Sequence, residues 1–117
     1  MTAGRSALGR AGEDAAAAWY LAHGYEVLDR NWRVARGELD LVAARPAVGL
    51  VVFCEVKTRS TDRYGSGFAA VDERKQQRLR SLALRWLAAQ DRRWPELRFD
   101  VVDVDARGHL RVLEGAF

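Results

Sequence analysis

The stretch from Leu50 to Thr58 limits most strongly what this chain can fold into. It reads Leu-Val-Val-Phe-Cys-Glu-Val-Lys-Thr, so five consecutive apolar residues precede the first charged one. A strand that is apolar on both faces normally lies in the middle of a sheet that is covered on both sides. The sequence therefore predicts a layered fold with Leu50–Thr58 as a central strand.

The segments around this strand predict an α/β protein with the element order α-β-β-β-α-β-β. Apolar residues at helical spacing predict helices over Ser6–His23 and Val71–Gln90, and the polar, glycine-rich segment Arg59–Gly67 is a predicted loop. The predicted strands are Tyr25–Val34, Glu38–Ala44, Leu50–Thr58, Leu97–Asp105 and His109–Leu113. A length of 117 residues fits a single domain over 1–117.

Several classes of protein are disfavoured by the composition. The longest apolar run, Val48–Cys54, is much shorter than the about 20 residues that a membrane span needs. The first ten positions lack the apolar segment of a secretory signal, and a single cysteine cannot form an internal disulfide. We therefore expect a cytoplasmic protein that does not contact a membrane.

The basic residues have an unusual distribution. The net charge of +3 makes nucleic acid a weakly favoured partner. Lys57 and Lys75 are the only lysines, and every other basic residue is arginine. Where arginine predominates, a lysine can mark a place that needs a compact, titratable ammonium group. The alternative is that two lysines have remained by chance.

Acidic side chains converge at the end of the predicted central strand. Strand periodicity places Glu55 and Lys57 on one face, and burying a carboxylate there is costly unless it is paired or binds a metal. In the preceding strand the same periodicity places Glu38, Asp40 and Val42 on one face, with Leu39 and Leu41 on the other. Two neighbouring strands thus bring three acids and one lysine to one edge of the sheet.

This combination predicts a site for a hard divalent cation. Mg²⁺ and Mn²⁺ prefer oxygen ligands, so two carboxylates, a backbone carbonyl and water suffice. Such an ion polarises a phosphoryl oxygen and lowers the pKa of bound water, while Lys57 would hold that water or neutralise charge that grows on phosphorus. The alternative is that Glu55 and Lys57 are only a salt-bridged pair at the end of a strand.

Two motifs resemble a known family. Gly37–Ala43 (GELDLVA) and Val51–Arg59 (VVFCEVKTR) resemble the YraN-type family of small bacterial proteins. That family belongs to the PD-(D/E)XK, or restriction-endonuclease-like, superfamily and is similar to archaeal Holliday junction resolvases. Weaker matches are Gly9–Glu13, Lys75 with Arg78, and Arg98–Val102. The resemblance implies a mixed central sheet flanked by two helices, and a nuclease that cuts branched or structured DNA.

The resemblance also implies roles for individual residues. Asp40 matches the invariant aspartate and would ligate Mg²⁺ or Mn²⁺, with Glu55 as the second carboxylate ligand and the Val56 carbonyl completing the protein ligands. Lys57 is the motif lysine, and Glu13 matches a glutamate in the first helix of the resolvase-like branch. Because a four-way junction presents two symmetric cleavage points, the resemblance also implies a homodimer.

Three of these residues keep alternative interpretations. Glu13 lies beside the apolar stripe of the first helix, where it would be a site residue or simply exposed to solvent. Glu38 would be an extra metal ligand, a partner that holds a ligand in place, or a solvated residue at the start of a strand. Lys75 falls within the apolar stripe of the second helix, and its ammonium would reach either solvent or the substrate phosphates.

Nucleic-acid contacts are predicted around the loop and the second helix. Arg59, Arg63 and Tyr64 are candidates to grip a phosphate backbone, and a solvated flexible loop is the alternative. Lys75 and Arg78 are candidates on the helix. The rival to a DNA nuclease is a non-catalytic nucleic-acid-binding or complex-scaffolding module that keeps the same fold.

Overall fold

The order of helices and strands in the structure, a computed structural model that describes residues 7–59 and 71–117, matches the predicted order. Two helices and five strands follow one another, with a short 3-10 helix (Pro46–Val48) before the third strand. No helix among these residues is long and apolar enough to span a membrane. The elements are α1 (Ala7–Ala22), β1 (Glu26–Val34), β2 (Gly37–Arg45), β3 (Leu50–Thr58), α2 (Glu73–Ala88), β4 (Glu96–Val104) and β5 (Leu110–Leu113).

The five strands form one mixed sheet in the order β1-β2-β3-β4-β5. β3 lies at its centre and pairs in parallel with β4, whereas the other neighbouring strands pair antiparallel. A parallel connection needs a crossover, and α2 provides it. The prediction that the apolar strand is central is confirmed, and so is the mixed α/β class.

The two helices cover opposite faces of the sheet. One core cluster joins α1 to the even-numbered apolar residues of β3, and the other joins α2 to the odd-numbered ones. This double cover explains why β3 is apolar at consecutive positions. The α1 cluster includes Ala16, Ala17, Tyr20, Val52 and Cys54, and the α2 cluster includes Leu79, Leu82, Trp86, Val51 and Phe53.

The buried face of α1 differs in part from the apolar stripe that helical spacing predicts, which consists of Leu8, Gly12, Ala15, Ala16 and Trp19. Leu8 is 44% exposed, whereas Glu13 and Tyr20 are buried. Gly12 explains the orientation, because a Cβ atom there would collide with the hydroxyl of Thr58. The helix therefore packs against the end of β3 so closely that only glycine fits, and the next residue, Glu13, is brought beside the sheet.

β2 and β3 separate at one end, and we call this place the fork. Their pairing runs from Arg45 with Leu50 to Leu41 with Cys54 and then stops. Beyond it, residues 37–39 pair with β1, and residues 55–58 pair with β4. The fork is thus a gap within the sheet, open to side chains from both faces.

The strict alternation predicted for β2 is wrong at the fork. Leu39 and Val42 belong to the α2 core cluster, whereas Leu41 belongs to the α1 cluster, so Leu39 and Leu41 do not share a face. The break coincides with Asn31 of β1, which has a left-handed backbone (φ 52°) and lies opposite Asp40 between paired neighbours. A left-handed residue turns the strand that contains it, so the side chains of β1 after Asn31 change faces.

Candidate active site

A pocket of about 380 Å³ occupies the fork. α1 contributes from one face of the sheet, α2 from the other, and β2 and β3 form its walls. Helices and strands that are far apart in the chain therefore meet where β2 and β3 are no longer paired. The residues that line it are Glu13, Gly37, Glu38, Asp40, Glu55, Val56, Lys57, Arg78 and Leu79.

Asp40 lies at the centre of the pocket and replaces part of the missing ladder. Its Oδ2 accepts a hydrogen bond of 2.9 Å from the backbone N–H of Val56. Burial raises the pKa of Asp40 to about 9, and the charge of Glu55, a side-chain hydrogen bond with Glu55 and the charge of Glu13 act in the same direction. Without a cation, these effects favour the protonated form of the Asp40 carboxyl group.

Three carboxylates surround one small volume in the pocket. Glu13, Glu38 and Asp40 each bring an oxygen to within 4.8 Å of the other two. Glu13 is only 8% exposed, so the interpretation that it faces solvent is wrong. The cluster joins one acid from α1 to two from β2, whereas the sequence predicted Asp40 and Glu55 as the principal pair.

Glu38 is held in place by basic and amide groups. Arg33 Nε donates to Glu38 Oε2 at 2.7 Å. Asn31 Nδ2 donates to Glu13 Oε1 at 3.1 Å and lies 3.4 Å from Glu38 Oε1. Of the three predicted roles for Glu38, simple solvation is wrong, and the structure leaves it both near the acids and fixed by Arg33.

Glu55 and Lys57 line the pocket, and Lys75 lies close to Lys57. Lys57 Nζ lies 3.6 Å from Glu55 Oε2, and its side chain is 27% exposed. Lys75 contacts Lys57, and this contact, followed by burial and the charge of Lys57, lowers the pKa of Lys75. The only two lysines of the chain are therefore close enough to interact, and the charge of Glu55 also acts on Lys75.

Arg59 has a different role from the predicted one. Its Nε and NH2 groups each donate a hydrogen bond of 2.9 Å to Asp103, which is buried in β4. Its backbone N–H also donates to the carbonyl of Val104 at 2.9 Å. The predicted contact with a phosphate backbone is therefore wrong for Arg59, because its guanidinium neutralises a buried carboxylate. Arg63 and Tyr64 lie outside the described residues.

We expect Arg59→Ala to destabilise the fold. Removing one partner of a buried ion pair leaves an unpaired charge, which typically costs about 3–5 kcal/mol. Urea denaturation should show the loss, with Arg93→Ala as control, since Arg93 is exposed and has no carboxylate partner among the residues the structure describes. Unchanged stability of Arg59→Ala, together with weaker binding to DNA, would restore the original prediction.

Asn31 is a site residue that the sequence analysis missed. Its amide bridges Glu13 and Glu38, and its left-handed backbone lies opposite Asp40. Asparagine is depleted in strands and tolerates a positive φ, so an asparagine inside a predicted strand was the available signal. Only the fold shows that this position faces the acids.

The sequence matches a described family and many relatives. A profile of the "Uncharacterised protein family UPF0102" matches residues 12–104, a range that holds every lining residue of the pocket. A UPF0102 protein of Frankia casuarinae is 51% identical over 117 residues, covering 97% of this chain and 98% of the relative. UPF0102 proteins of Mycobacterium sp. (strain JLS) and Mycolicibacterium smegmatis are each 50% identical over 100 residues, which is 86% of this chain and 74% and 81% of theirs.

Proposed function

This chain belongs to the uncharacterised protein family UPF0102, and we propose that it is a metal-dependent nuclease that hydrolyses phosphodiester bonds in DNA. One observation carries the proposal. Four carboxylates and a lysine meet in a pocket at the fork, where Glu13 is buried and Glu38, Asp40 and Glu55 are partly buried. Burying several acids is costly unless a cation or a proton neutralises them, so the arrangement supports binding of a cation.

The residues of the pocket fit Mg²⁺ or Mn²⁺. All the available donors are oxygens, and Asp40, Glu55 and Glu13 would hold the ion. The Val56 carbonyl would be a further ligand, because the N–H and C=O of one strand residue point to the same side and its N–H faces Asp40. When bound, the ion supplies Lewis-acid polarisation of a phosphoryl oxygen and a lower pKa for water.

The chain's own residues supply the remaining chemistry. Lys57 places a compact ammonium beside Glu55 at the mouth of the pocket, where it would stabilise negative charge on a phosphate oxygen or hold the attacking water. Arg33 and Asn31 keep Glu38 and Glu13 in position. These side chains would thus bind the ion, orient the attacking water and neutralise charge on the phosphate, without forming a covalent intermediate.

We assign the fold to the restriction-endonuclease-like, PD-(D/E)XK arrangement. The mixed five-stranded sheet between two helices and the position of the acids support this assignment. The likeness to Holliday junction resolvases that the motifs imply extends the proposal to branched or structured DNA, cut by a homodimer in the cytoplasm. A dimer suits such a substrate because it presents two symmetric strands.

Calorimetric titration and a panel of substrates test this function. We expect the protein to bind Mn²⁺ and to cut a junction or flap substrate faster than linear duplex, with no cutting in EDTA. DNA binding without Mn²⁺ binding or cleavage would favour the non-catalytic nucleic-acid-binding module. Binding of neither Mn²⁺ nor DNA would contradict the proposed function altogether.

A further inference from the structure

A second, smaller groove of about 290 Å³ adjoins the fork pocket. Arg78 lines both cavities, so the groove continues directly from the acidic site. It contains three guanidinium groups and no carboxylate. The lining residues are Val34 and Arg36 from the end of β1 and the turn after it, and Arg78, Ser81, Leu82 and Arg85 from α2.

The basic side chains of α2 are arranged in a line. Arg74, Arg78 and Arg85 are separated by four and seven residues, a spacing that places them on one stripe of a helix. All three are exposed, and Arg36 lies across the groove from them. We call Arg36, Arg74, Arg78 and Arg85 the arginine ridge. From Arg74 to Arg85 the helix rises by about 16 Å.

The arginine ridge has no acidic partners within residues 7–59 and 71–117. Several other arginines of the same segments pair with carboxylates, for example Arg30 with Asp14, Arg33 with Glu38, and Arg98 with Asp100. Four unpaired guanidinium groups next to an acidic pocket repel one another. Their grouping is therefore best explained by a polyanionic ligand from outside the chain.

We propose that the arginine ridge binds the phosphodiester backbone of DNA that flanks the bond placed at the fork. The ligand class rests on the proposed function, but the binding itself does not require cleavage. The acids at the fork repel phosphates, so a strand is held there only if neighbouring phosphates are anchored. A guanidinium suits this task because it binds phosphate in a bidentate manner.

The length of the ridge matches such a strand. DNA carries one phosphate per about 3.4 Å of helix axis on each strand, so about 16 Å corresponds to roughly five nucleotide steps. Because Arg78 lines the fork pocket and Arg85 lies farther along α2, the ridge sets the direction in which the strand leaves the site. Arg36 and Arg85 would hold phosphates several steps from the reacting one.

Salt dependence of DNA binding in EDTA, where no cleavage occurs, tests the inference. Log K falls as log salt rises, and Arg36→Gln combined with Arg85→Gln should make this slope shallower by about two units. Affinity at about 0.1 M salt should fall roughly sixtyfold, as expected when two counterion-release contributions of about 0.9 log units are lost. The matched control is Arg93→Gln with Arg107→Gln, which removes the same charge from two exposed loop positions.

The outcomes separate this inference from the proposed function. A lower slope for the ridge variant alone supports the ridge, whether or not the wild-type protein cleaves DNA. Equal losses of slope and affinity in the ridge variant and the control would mean that only net charge matters, which would overturn the inference. The inference is also overturned if the wild-type protein does not bind DNA, or if the ridge variant loses only binding to phosphatidylserine vesicles, which would indicate a membrane surface.

Discussion

Asp40→Asn is expected to melt at a higher temperature than the wild-type protein when no metal is present. In the folded chain, burial and the neighbouring Glu55 raise the pKa of Asp40 to about 9, far above the ordinary value for aspartate. Asparagine has no charge to bury, and its carbonyl still accepts the hydrogen bond from Val56. At pH 8 we expect a rise of about 4 °C or more, the shift that roughly 1 kcal/mol gives in a domain of this size.

The effect should depend on pH in a defined direction. Between about pH 4 and about pH 9 the folded protein keeps a proton on Asp40 that the unfolded chain has lost. The contribution of Asp40 to the free energy of unfolding is therefore fully present below the pKa of the unfolded chain. It is lost as the pH rises from about 4 to about 9. Asp40→Asn should lack that decline. Asp105→Asn is the control of opposite sign, because hydrogen bonds from His109 and Arg107 lower the pKa of Asp105.

Mn²⁺ should reverse the order of the melting temperatures, so that the wild-type protein melts above Asp40→Asn. An ion bound only to the folded wild type adds about 2.7 kcal/mol at a concentration one hundred times its dissociation constant. Asp40→Asn should gain little and should lose cleavage of DNA, although it is folded. Thermal melts in EDTA and in Mn²⁺, together with a cleavage assay, measure both parts. Wild-type cleavage by Asp40→Asn would show that the site lies elsewhere.

The central strand and its acids were predictable because local pattern determines them. Five apolar residues followed by Glu-Val-Lys require burial on both faces and then a reason for the charges. The structure bears out the position of β3 and places Asp40, Glu55 and Lys57 in one pocket. Cys54 is buried on the face opposite Glu55, as strand alternation requires.

The remainder of the site depends on tertiary geometry that periodicity does not encode. Alternation placed Leu39 with Leu41, but they lie on different faces where β2 separates from β3 and where Asn31 of the paired strand β1 has a left-handed backbone. Glu13 is buried because Gly12 lets α1 approach Thr58, which is a contact between distant parts of the chain.

Arg59 illustrates the limit of reading charge from sequence. An arginine next to a polar, glycine-rich segment has the pattern of a phosphate contact, but its partner is a buried aspartate 44 positions away. Among the described residues, arginines without a carboxylate partner include those on α2 and the β1–β2 turn, where only a map of ion pairs distinguishes them. Basic residues therefore predict an interface only after internal partners are known.

Lys57 provides the sharpest distinction between an enzyme and a salt-bridged strand end. Its ammonium lies 3.6 Å from Glu55, and the side chain of Lys75 is close enough to interact with it. If Lys57 only balances charge, any cation of similar reach should replace it. If it holds water or a phosphate oxygen, the compact shape of the ammonium is essential, because a guanidinium is wider and planar and does not release its proton.

We therefore expect Lys57→Arg to fold and bind DNA but to lose most of its cleavage. A displacement of about 1 Å at a reacting group costs on the order of a hundredfold in rate. Single-turnover cleavage at saturating Mn²⁺ is the measurement. Lys75→Arg is the matched control, because it makes the same exchange at a lysine that does not line the pocket. This variant should retain far more activity. Wild-type rates in Lys57→Arg would reduce Lys57 to a counter-ion of Glu55 and contradict its catalytic role.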